Sequence, residues 1–224
     1  MVYELEQSLV LIKPDSAIRR RVGALVIDAL LAKGYKVEAF REMKVPVPLA
    51  KKHYAVHKDK PFFGWLVDFI TSARVLAMVF EGDNVIQGIR DALGATFVQK
   101  ATPDSLRGRY GIWAGINVAH ASDAPDTAAA EIALWTKEGG LVHSSDAEAK
   151  ARAYIDKYKT GDADYTAEIR KLVQTTIEQK RSSPNLVPSL EKLFSKDAEG
   201  VRQGEISALA RSIHSFIEEE IAKA

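Results

Sequence analysis

Stretches with the pattern of β-strands are confined to the first 120 residues, and this uneven distribution constrains the fold more than any other feature of the sequence. Four short stretches are apolar or alternate between apolar and polar residues, as strands do, namely residues 8–12, 35–47, 74–81 and 116–119. Beyond Gly139-Gly140 the chain is dominated by Ala, Glu, Lys and Arg and has no such stretch. The sequence therefore predicts a region built on a sheet, followed by a region of helices alone.

Helical patterns lie between the predicted strands, and their order indicates the fold class. The predicted helices cover residues 22–31, 48–57, 61–70, 84–93 and 125–135, and residues 94–110 form a long loop. The continuously apolar runs 8–12 and 74–81 are typical of buried strands. This order favours an α+β sandwich, a ferredoxin-like βαββαβ arrangement with helices on an antiparallel four-stranded sheet.

The chain is expected to divide at the glycine pair into residues 1–142 and residues 143–224, although its length also allows one large domain. The second part reads as an all-α extension with four amphipathic helices, at residues 146–159, 164–180, 186–194 and 205–222. Their apolar faces have to be buried in a small bundle, against the first domain or against another subunit. An extension that packs on the protein or modifies its oligomer is favoured over a domain that binds a partner.

Composition excludes several classes of function. The formal net charge of +1 gives no overall field that would attract nucleic acid or an anionic membrane. The absence of cysteine excludes disulfides, thiolate nucleophiles and cysteine-bound metals. No apolar run reaches the roughly 18 residues that indicate a membrane span, and the first residues do not resemble a signal peptide. We therefore expect a cytoplasmic protein that binds neither membrane nor specific nucleic acid.

The candidate functional residues lie at predicted strand ends, at helix starts and in the long loop. They are Lys13, Tyr54, Phe62, Arg90, Thr96, Arg107, Asn117, His120, Ser122 and Glu131. Arginine binds phosphate through paired charge-assisted hydrogen bonds, and a neutral imidazole is a good nucleophile near pH 7. Together these side chains suit a polyphosphate ester of a flat base, although a lone histidine beside an apolar run is often structural. The common glycine-rich phosphate loop and the protein-kinase catalytic loop are both missing from the sequence.

Two further groups of polar residues are expected to be structural or solvated. His53 and His57 are four residues apart, which could place both imidazoles on one helical face, but no third metal ligand is evident. Arg19, Arg20 and Arg21 oppose the dipole at the start of a helix, so we expect them to be solvated.

Several motifs, taken in order, resemble the nucleoside diphosphate kinase family between about residues 8 and 142. The matching segments are Ile12-Lys13-Pro14-Asp15, His53-Tyr54, Lys60-Pro61-Phe62-Phe63, Leu93-Gly94-Ala95-Thr96, Leu106-Arg107-Gly108, Asn117-Val118-Ala119-His120-Ala121-Ser122-Asp123, Glu131-Ile132 and Leu134-Trp135. The combination of the Asn-x-x-His-x-Ser-Asp signature with the Lys-Pro-Asp strand end is highly specific.

The resemblance implies a ping-pong kinase that uses nucleoside tri- and diphosphates. His120 would become phosphorylated, oriented by Glu131 with support from Ser122. Arg90, Thr96 and Arg107 would hold the phosphates, with Mg²⁺ bridging their oxygens. Lys13 and Asn117 would bind the sugar hydroxyls and the phosphate end, Tyr54 would lie near the transferred group, and Phe62 would stack on the base. The resemblance also implies a homo-oligomer, either a trimer, a tetramer or a hexamer.

The sequence departs from the family pattern at three places. Ser16 replaces a common glycine, Arg20 stands where the family has the glycine of an Arg-Gly pair, and Phe97-Val98 replaces Asn-Pro in a loop that helps set subunit contacts. Two alternative functions are a regulatory or scaffold module that binds nucleotides, with the helical extension as its functional half, and a histidine-dependent nucleotidase.

Overall fold

One antiparallel four-stranded sheet, with strand order β2-β3-β1-β4, organises the first part of the chain. The computed structural model describes residues 5–161 and 163–223. The strands are β1 (Glu6–Ile12), β2 (Lys36–Lys44), β3 (Arg74–Gly82) and β4 (Ala119–Ala121). Val10 lies opposite Met78 on one side and Ala121 on the other, so β1 is a central strand. The predicted ferredoxin-like α+β fold is confirmed.

Helices pack around this sheet and are the other regular elements of the described residues. They are α1 (Pro14–Ala17), α2 (Arg20–Leu31), α3 (Val47–His53), α4 (Phe63–Ser72), α5 (Val85–Leu93), α6 (Leu106–Tyr110), α7 (Pro125–Gly139), α8 (Ala147–Tyr158), α9 (Thr166–Glu178), α10 (Leu186–Ser195) and α11 (Gln203–Lys223). Short 3₁₀ turns occur at Ala55–His57 and Val98–Lys100. None of the helices within the described ranges is long and apolar enough to cross a membrane.

The central strand is apolar on both faces because helices cover both sides of the sheet. Leu9 and Leu11 point into a core shared with α3, α4 and α7, whereas Val10 and Ile12 point into a second core with α2, α5 and α8. All four side chains are fully buried. The continuous apolar run in the sequence follows directly from this two-sided burial.

The last predicted strand is misplaced in the sequence-based prediction. Of residues 116–119 only Ala119 belongs to it, since β4 is Ala119–Ala121, and His120 lies within the strand rather than after it. Ile116 instead closes a tight turn, donating its N–H to the carbonyl of Trp113 at 2.8 Å. Val118 has φ of 81°, a left-handed conformation that cannot continue a strand. The predicted loop 94–110 is also partly helical, since it contains α6.

The extension both forms a helical bundle and packs on the first part of the chain. Helix α8 lies against α2 and β2 and contributes Ala151, Tyr154 and Ile155 to the sheet core. Helices α9, α10 and α11 share a separate apolar core with Trp65 and Phe69 of α4. The apolar faces of the extension are therefore buried in two of the expected ways, in a helical bundle and against the first part of the chain.

The expectation that Arg19 and Arg20 are solvated is wrong. Their side chains are 1% and 3% exposed. Arg19 donates to the carbonyl of Tyr110 at 2.7 Å and to Oγ1 of Thr166 at 2.8 Å. Arg20 donates to the carbonyl of Glu199 at 2.9 Å. Both guanidinium groups are held by partners distant in sequence, among them groups of the extension.

A largely buried ion pair joins helix α11 of the extension to strand β3. Glu205, at the start of α11, is 4% exposed and accepts from Arg74 through both carboxylate oxygens, at 2.8 Å and 3.1 Å. Its Oε1 also accepts the backbone N–H of Arg74 at 3.0 Å. Burial opposes the negative charge, but the hydrogen bonds and charge of Arg74 outweigh it and lower the pKa of Glu205 to about 2.

We expect Glu205→Gln to destabilise the protein by about 2 kcal/mol at pH 7, because it removes the carboxylate that binds the partly buried Arg74 guanidinium through two oxygens and leaves Glu42 as its ion-pair partner. Urea unfolding followed by circular dichroism measures the change. The matched control is Glu199→Gln, which removes a carboxylate that is 66% exposed and pairs with Lys157. Equal stability of the two variants would contradict the prediction.

Candidate active site

The carboxyl end of β1 and the segment that enters β4 are fastened together by buried backbone bonds. The N–H of Lys13 donates to the carbonyl of Val118 at 2.9 Å, and the N–H of Val118 donates to Oδ2 of Asp15 at 3.2 Å. Asp15 is fully buried. This junction holds Val118 in its left-handed conformation and fixes where the residues on either side of it lie.

Arg107, in the first turn of α6, donates to three backbone carbonyls around that junction. Its Nε binds Asn117 at 3.1 Å, Nη1 binds Gly94 at 2.9 Å, and Nη2 binds Ala119 at 2.8 Å. Burial and, secondarily, the nearby Arg90 lower the pKa of Arg107 to about 10. This guanidinium is half-buried and has no ion-pair partner among the described residues, which suits it to hold an anion.

Asn117 and Lys13 lie next to this junction and bind backbone carbonyls through their side chains. Asn117 is 4% exposed; its Nδ2 donates to the carbonyl of Thr96 at 2.6 Å, and its buried Oδ1 has no hydrogen-bond partner among the described residues. Lys13 donates from Nζ to the carbonyl of Gly115 at 2.6 Å. Burial lowers the pKa of Lys13 to about 8; the charge of Asp15 opposes the shift, and the charge of Arg107 adds to it.

His120 is oriented by a carboxylate that is itself held in place. Its Nε2 lies 2.9 Å from Oε1 of Glu131, within ion-pair distance but not aligned for a hydrogen bond. The other carboxylate oxygen of Glu131 accepts from Oγ of Ser122 at 2.6 Å. Ser122 Oγ also accepts the N–H of Leu9 at 3.1 Å, which ties this chain of contacts to β1.

His53 is a neighbour of His120 that the sequence did not predict. The two rings meet edge to face, with centroids 4.6 Å apart, and Trp135 donates to Nδ1 of His53 at 3.2 Å. Burial, with smaller effects from the charges of His120 and His57, lowers the pKa of His53 well below its usual value, so its ring is neutral at pH 7.

His53 and His57 do not share one helical face, which their spacing allowed, because α3 ends at His53 and His57 belongs to a 3₁₀ turn. Ligand atoms of His53, His120 and Glu131 instead lie within 4.8 Å of one another, a spacing that could hold a metal ion.

The other predicted site residues border this group. Tyr54 is 8% exposed, and burial followed by the charges of Glu131 and Asp15 raises its pKa. Arg90 is exposed in the last turn of α5 and acts electrostatically on Arg107 and Asp123. Phe62 precedes α4 with its ring 43% exposed, and the ring lies beside that of His57 rather than beside His120.

Three cations, an unpartnered amide oxygen and a carboxylate-oriented imidazole thus converge at the β1–β4 end of the sheet. Such a set suits a phosphate ester and the transfer of a phosphoryl group to or from a histidine. The arrangement is therefore chemically compatible with an enzyme that binds phosphate and uses a histidine.

A family comparison gives a narrower result. The nucleoside diphosphate kinase family model matches residues 6–141. The chain therefore belongs to the nucleoside diphosphate kinase family, whose members are phosphotransferases.

Individual relatives agree over the same part of the chain. The nucleoside diphosphate kinase of Microcystis aeruginosa is 45% identical over 139 residues, which cover 62% of this chain and 93% of the relative. That of Carboxydothermus hydrogenoformans is 45% identical over 138 residues, 62% of this chain and 92% of the relative. A halophilic nucleoside diphosphate kinase from Halobacterium salinarum, solved in complex with CDP, is 41% identical with a TM-score of 0.58, covering 66% of this chain and 99% of that one. The family match stops just before the extension.

Asp15 and His53 are the residues of the site whose roles the sequence analysis did not anticipate. Both lie inside motifs that were quoted for the family resemblance. What could have pointed to them is their closeness in sequence to predicted site residues, since Asp15 follows Lys13 by two residues and His53 directly precedes Tyr54. Their actual partners, Val118 and His120, are far away in sequence.

We expect Asp15→Asn to lower the free energy of unfolding by about 3 kcal/mol, because it removes the carboxylate that pairs with the buried Arg19 guanidinium at 3.8 Å. Urea unfolding at pH 7 measures the loss. Asp28→Asn serves as the control, since that carboxylate is 39% exposed and pairs with Lys159; it should cost less than about 1 kcal/mol. A stability of Asp15→Asn equal to that of the control would refute a stabilising ion pair between Asp15 and Arg19.

Proposed function

We propose that the enzyme transfers the γ-phosphoryl group of a nucleoside triphosphate to a nucleoside diphosphate in two steps through His120. In the first step a ring nitrogen of His120 attacks the γ-phosphorus. A nitrogen–phosphorus bond forms, the bond to the β-phosphate oxygen breaks, and the diphosphate leaves. In the second step a terminal oxygen of another diphosphate attacks phosphohistidine and regenerates the free imidazole.

The position of Glu131 supports Nδ1 as the attacking nitrogen. Nε2 is buried and lies 2.9 Å from the Glu131 carboxylate, so the carboxylate favours a proton on Nε2 and leaves the Nδ1 lone pair free. The same carboxylate stabilises the positive charge that the ring acquires on phosphorylation. Ser122 acts as a positioning residue because it fixes the second oxygen of Glu131 at 2.6 Å.

Arg107, Arg90 and Thr96 are proposed to hold the phosphates. A guanidinium has five N–H groups, and in Arg107 three of them donate to backbone carbonyls of other residues. Two therefore remain for a phosphate. Because the transition state for phosphoryl transfer is loose, alignment and charge neutralisation contribute most of the catalysis. An arginine whose own side chain is already fixed loses little freedom when the nucleotide binds.

Lys13, Asn117, Tyr54 and Phe62 are proposed to bind the remainder of the nucleotide. The unpartnered Oδ1 of Asn117 is a buried acceptor that a sugar hydroxyl would satisfy. The effect of the Glu131 charge on the pKa of Tyr54 supports a position for Tyr54 near the reacting phosphoryl group. The exposed Phe62 ring offers a surface for stacking on a base, and stacking discriminates poorly among bases.

The residues of the site fit a magnesium ion that the nucleotide carries. The side chains around Arg107 are mainly cationic, and Glu131 is already engaged by His120 and Ser122. Phosphate oxygens and water would therefore provide the hard oxygen ligands that Mg²⁺ requires. The ion supplies neutralisation of phosphate charge when it is bound.

We assign the chemistry to residues 1–142 and a supporting role to residues 143–224.

We expect His120→Ala to reduce exchange between ATP and a diphosphate acceptor by at least about a thousandfold, with nucleotide binding retained, because the carrier of the phosphoryl group is removed. A coupled assay with ATP and a second diphosphate measures the exchange. His143→Ala is the control, since that ring is 71% exposed and pairs with Glu38.

Incubation of the wild-type protein with γ-labelled ATP separates the proposed reaction from its alternatives. An acid-labile, base-stable label that is lost on addition of a diphosphate supports phosphohistidine. Release of phosphate without an acceptor would indicate a nucleotidase, and binding without labelling would indicate a regulatory module; either result refutes the proposal.

We expect the affinity for ADP to fall roughly five- to tenfold between pH 7 and pH 9, since Lys13 has a pKa of about 8 and binds the nucleotide in its charged form. The charged form is present below that pKa and is lost as the pH rises through it. Calorimetry with ADP alone avoids turnover. Lys13→Gln should bind more weakly but without this pH dependence, whereas Lys52→Gln, at a side chain that is 59% exposed, should keep it. A pH dependence that survives in Lys13→Gln would assign the titration to another group.

A further inference from the structure

Arg170, in the helical extension, binds the end of the helix that carries Arg107. From the second turn of α9 it donates through Nε to the carbonyl of Gly111 at 2.6 Å. Its Nη2 donates to the carbonyl of Gly108 at 2.7 Å and to the carbonyl of Arg107 itself at 3.2 Å. One guanidinium of the extension thus binds three carbonyls at the end of α6.

Helix α6 is too short to hold its conformation alone. It has five residues, about one turn, and the last carbonyls of any helix lack partners within the helix. A cation at that end supplies hydrogen bonds and complements the helix dipole. At the other end Ser105 accepts the N–H of Gly108 at 3.1 Å, and a side chain at position 108 would collide with the carbonyl oxygen of Thr102. The helix is therefore fixed by contacts at both of its ends.

A second contact from α9 reaches the same helix end through Arg19. Thr166, the first residue of α9, accepts from Nη1 of Arg19 at 2.8 Å, and Nη2 of Arg19 donates to the carbonyl of Tyr110 at 2.7 Å. Between them Arg170 and Arg19 bind the carbonyls of four residues, 107, 108, 110 and 111. Arg170 belongs to the extension, and Arg19 binds the extension through Thr166.

The backbone and the side chain of Arg107 are thus held from different directions. Its carbonyl accepts from Arg170 of the extension, while its guanidinium donates to Gly94, Asn117 and Ala119 beside the site. If the end of α6 loosened, the guanidinium could no longer reach all three carbonyls and the phosphate together. Displacements of about 1 Å are enough to reduce catalysis substantially.

We propose that Arg170 is a positioning residue for the enzyme, through which the extension holds Arg107 in its phosphate-binding position. This inference rests on the phosphate-binding role proposed above for Arg107. It makes the helical extension contribute to the nucleotide site through the end of α6.

A double-mutant cycle in the full-length protein tests this proposal, with calorimetry of ADP binding as the main measurement. We expect Arg107→Ala to weaken ADP binding by at least about thirtyfold. Arg170→Ala should weaken it by roughly five- to tenfold, and the double variant should bind no more weakly than Arg107→Ala, because Arg170 acts through Arg107. In steady-state kinetics Arg170→Ala should raise KM for both nucleotides more than it lowers kcat.

Two control variants on α9 separate positioning from loss of stability. Lys171→Ala removes the neighbouring cation, which is exposed, and should leave ADP binding unchanged. Val173→Ala truncates a fully buried side chain of the extension core, so it should lower the urea midpoint but not the affinity for ADP. Should Arg170→Ala unfold, Arg170→Lys keeps the charge with fewer directed donors and should give a smaller loss of affinity.

The outcomes distinguish this inference from the proposed function. Unchanged ADP binding in Arg107→Ala would refute the phosphate-binding role of Arg107 and with it the inference. A normal effect of Arg107→Ala combined with unchanged binding in Arg170→Ala and Arg170→Lys would refute the inference alone. Additive effects in the double variant, or an equal loss of affinity in Val173→Ala, would show that Arg170 does not act through Arg107.

Discussion

The site depends on the buried junction between Asp15 and Val118. A β-branched residue with φ of 81° is strained by roughly 1–3 kcal/mol and persists only where its surroundings hold it. Here the Asp15 carboxylate accepts the N–H of Val118, and the N–H of Lys13 binds its carbonyl. In this conformation the carbonyls on either side of Val118 both accept from Arg107, and His120 follows two residues later. By holding Val118, the buried Asp15 carboxylate thus fixes the position of Arg107 relative to His120.

Two of the three departures noted in the sequence analysis, Ser16 and Arg20, take part in the attachment of the helical extension. Arg20 stands in place of a glycine, and its side chain binds the carbonyl of Glu199 while its N–H binds the carbonyl of Asp197. Ser16 replaces another glycine and accepts from Nη2 of Arg19, whose Nη1 reaches Thr166. Buried polar groups need partners, so these side chains and the extension form a consistent set. The extension is therefore integrated with the first part of the chain rather than tethered to it.

The sequence predicted the strands and helices well wherever burial follows a local period. β1 and β3 were recognisable because helices on both faces require continuous apolar runs. The predicted strand at residues 116–119 failed because a turn at Trp113 and Ile116 and the left-handed Val118 leave no mark in the apolar pattern. The solvation expected for Arg19 and Arg20 failed for a related reason, since Thr166 and Glu199, which bind them, lie more than a hundred residues away.

The sequence by itself determined the order of the elements, the family and the chemical types of the candidate site residues, because these follow from local period and from motif. Tertiary structure alone decided that His53 lies against His120, that Asp15 holds Val118, and that Arg170 binds the end of α6. Contacts of this kind join residues far apart in the chain. They arise only when amphipathic faces pack and bring distant carbonyls within reach of buried donors, and neither periodicity nor composition specifies which faces meet.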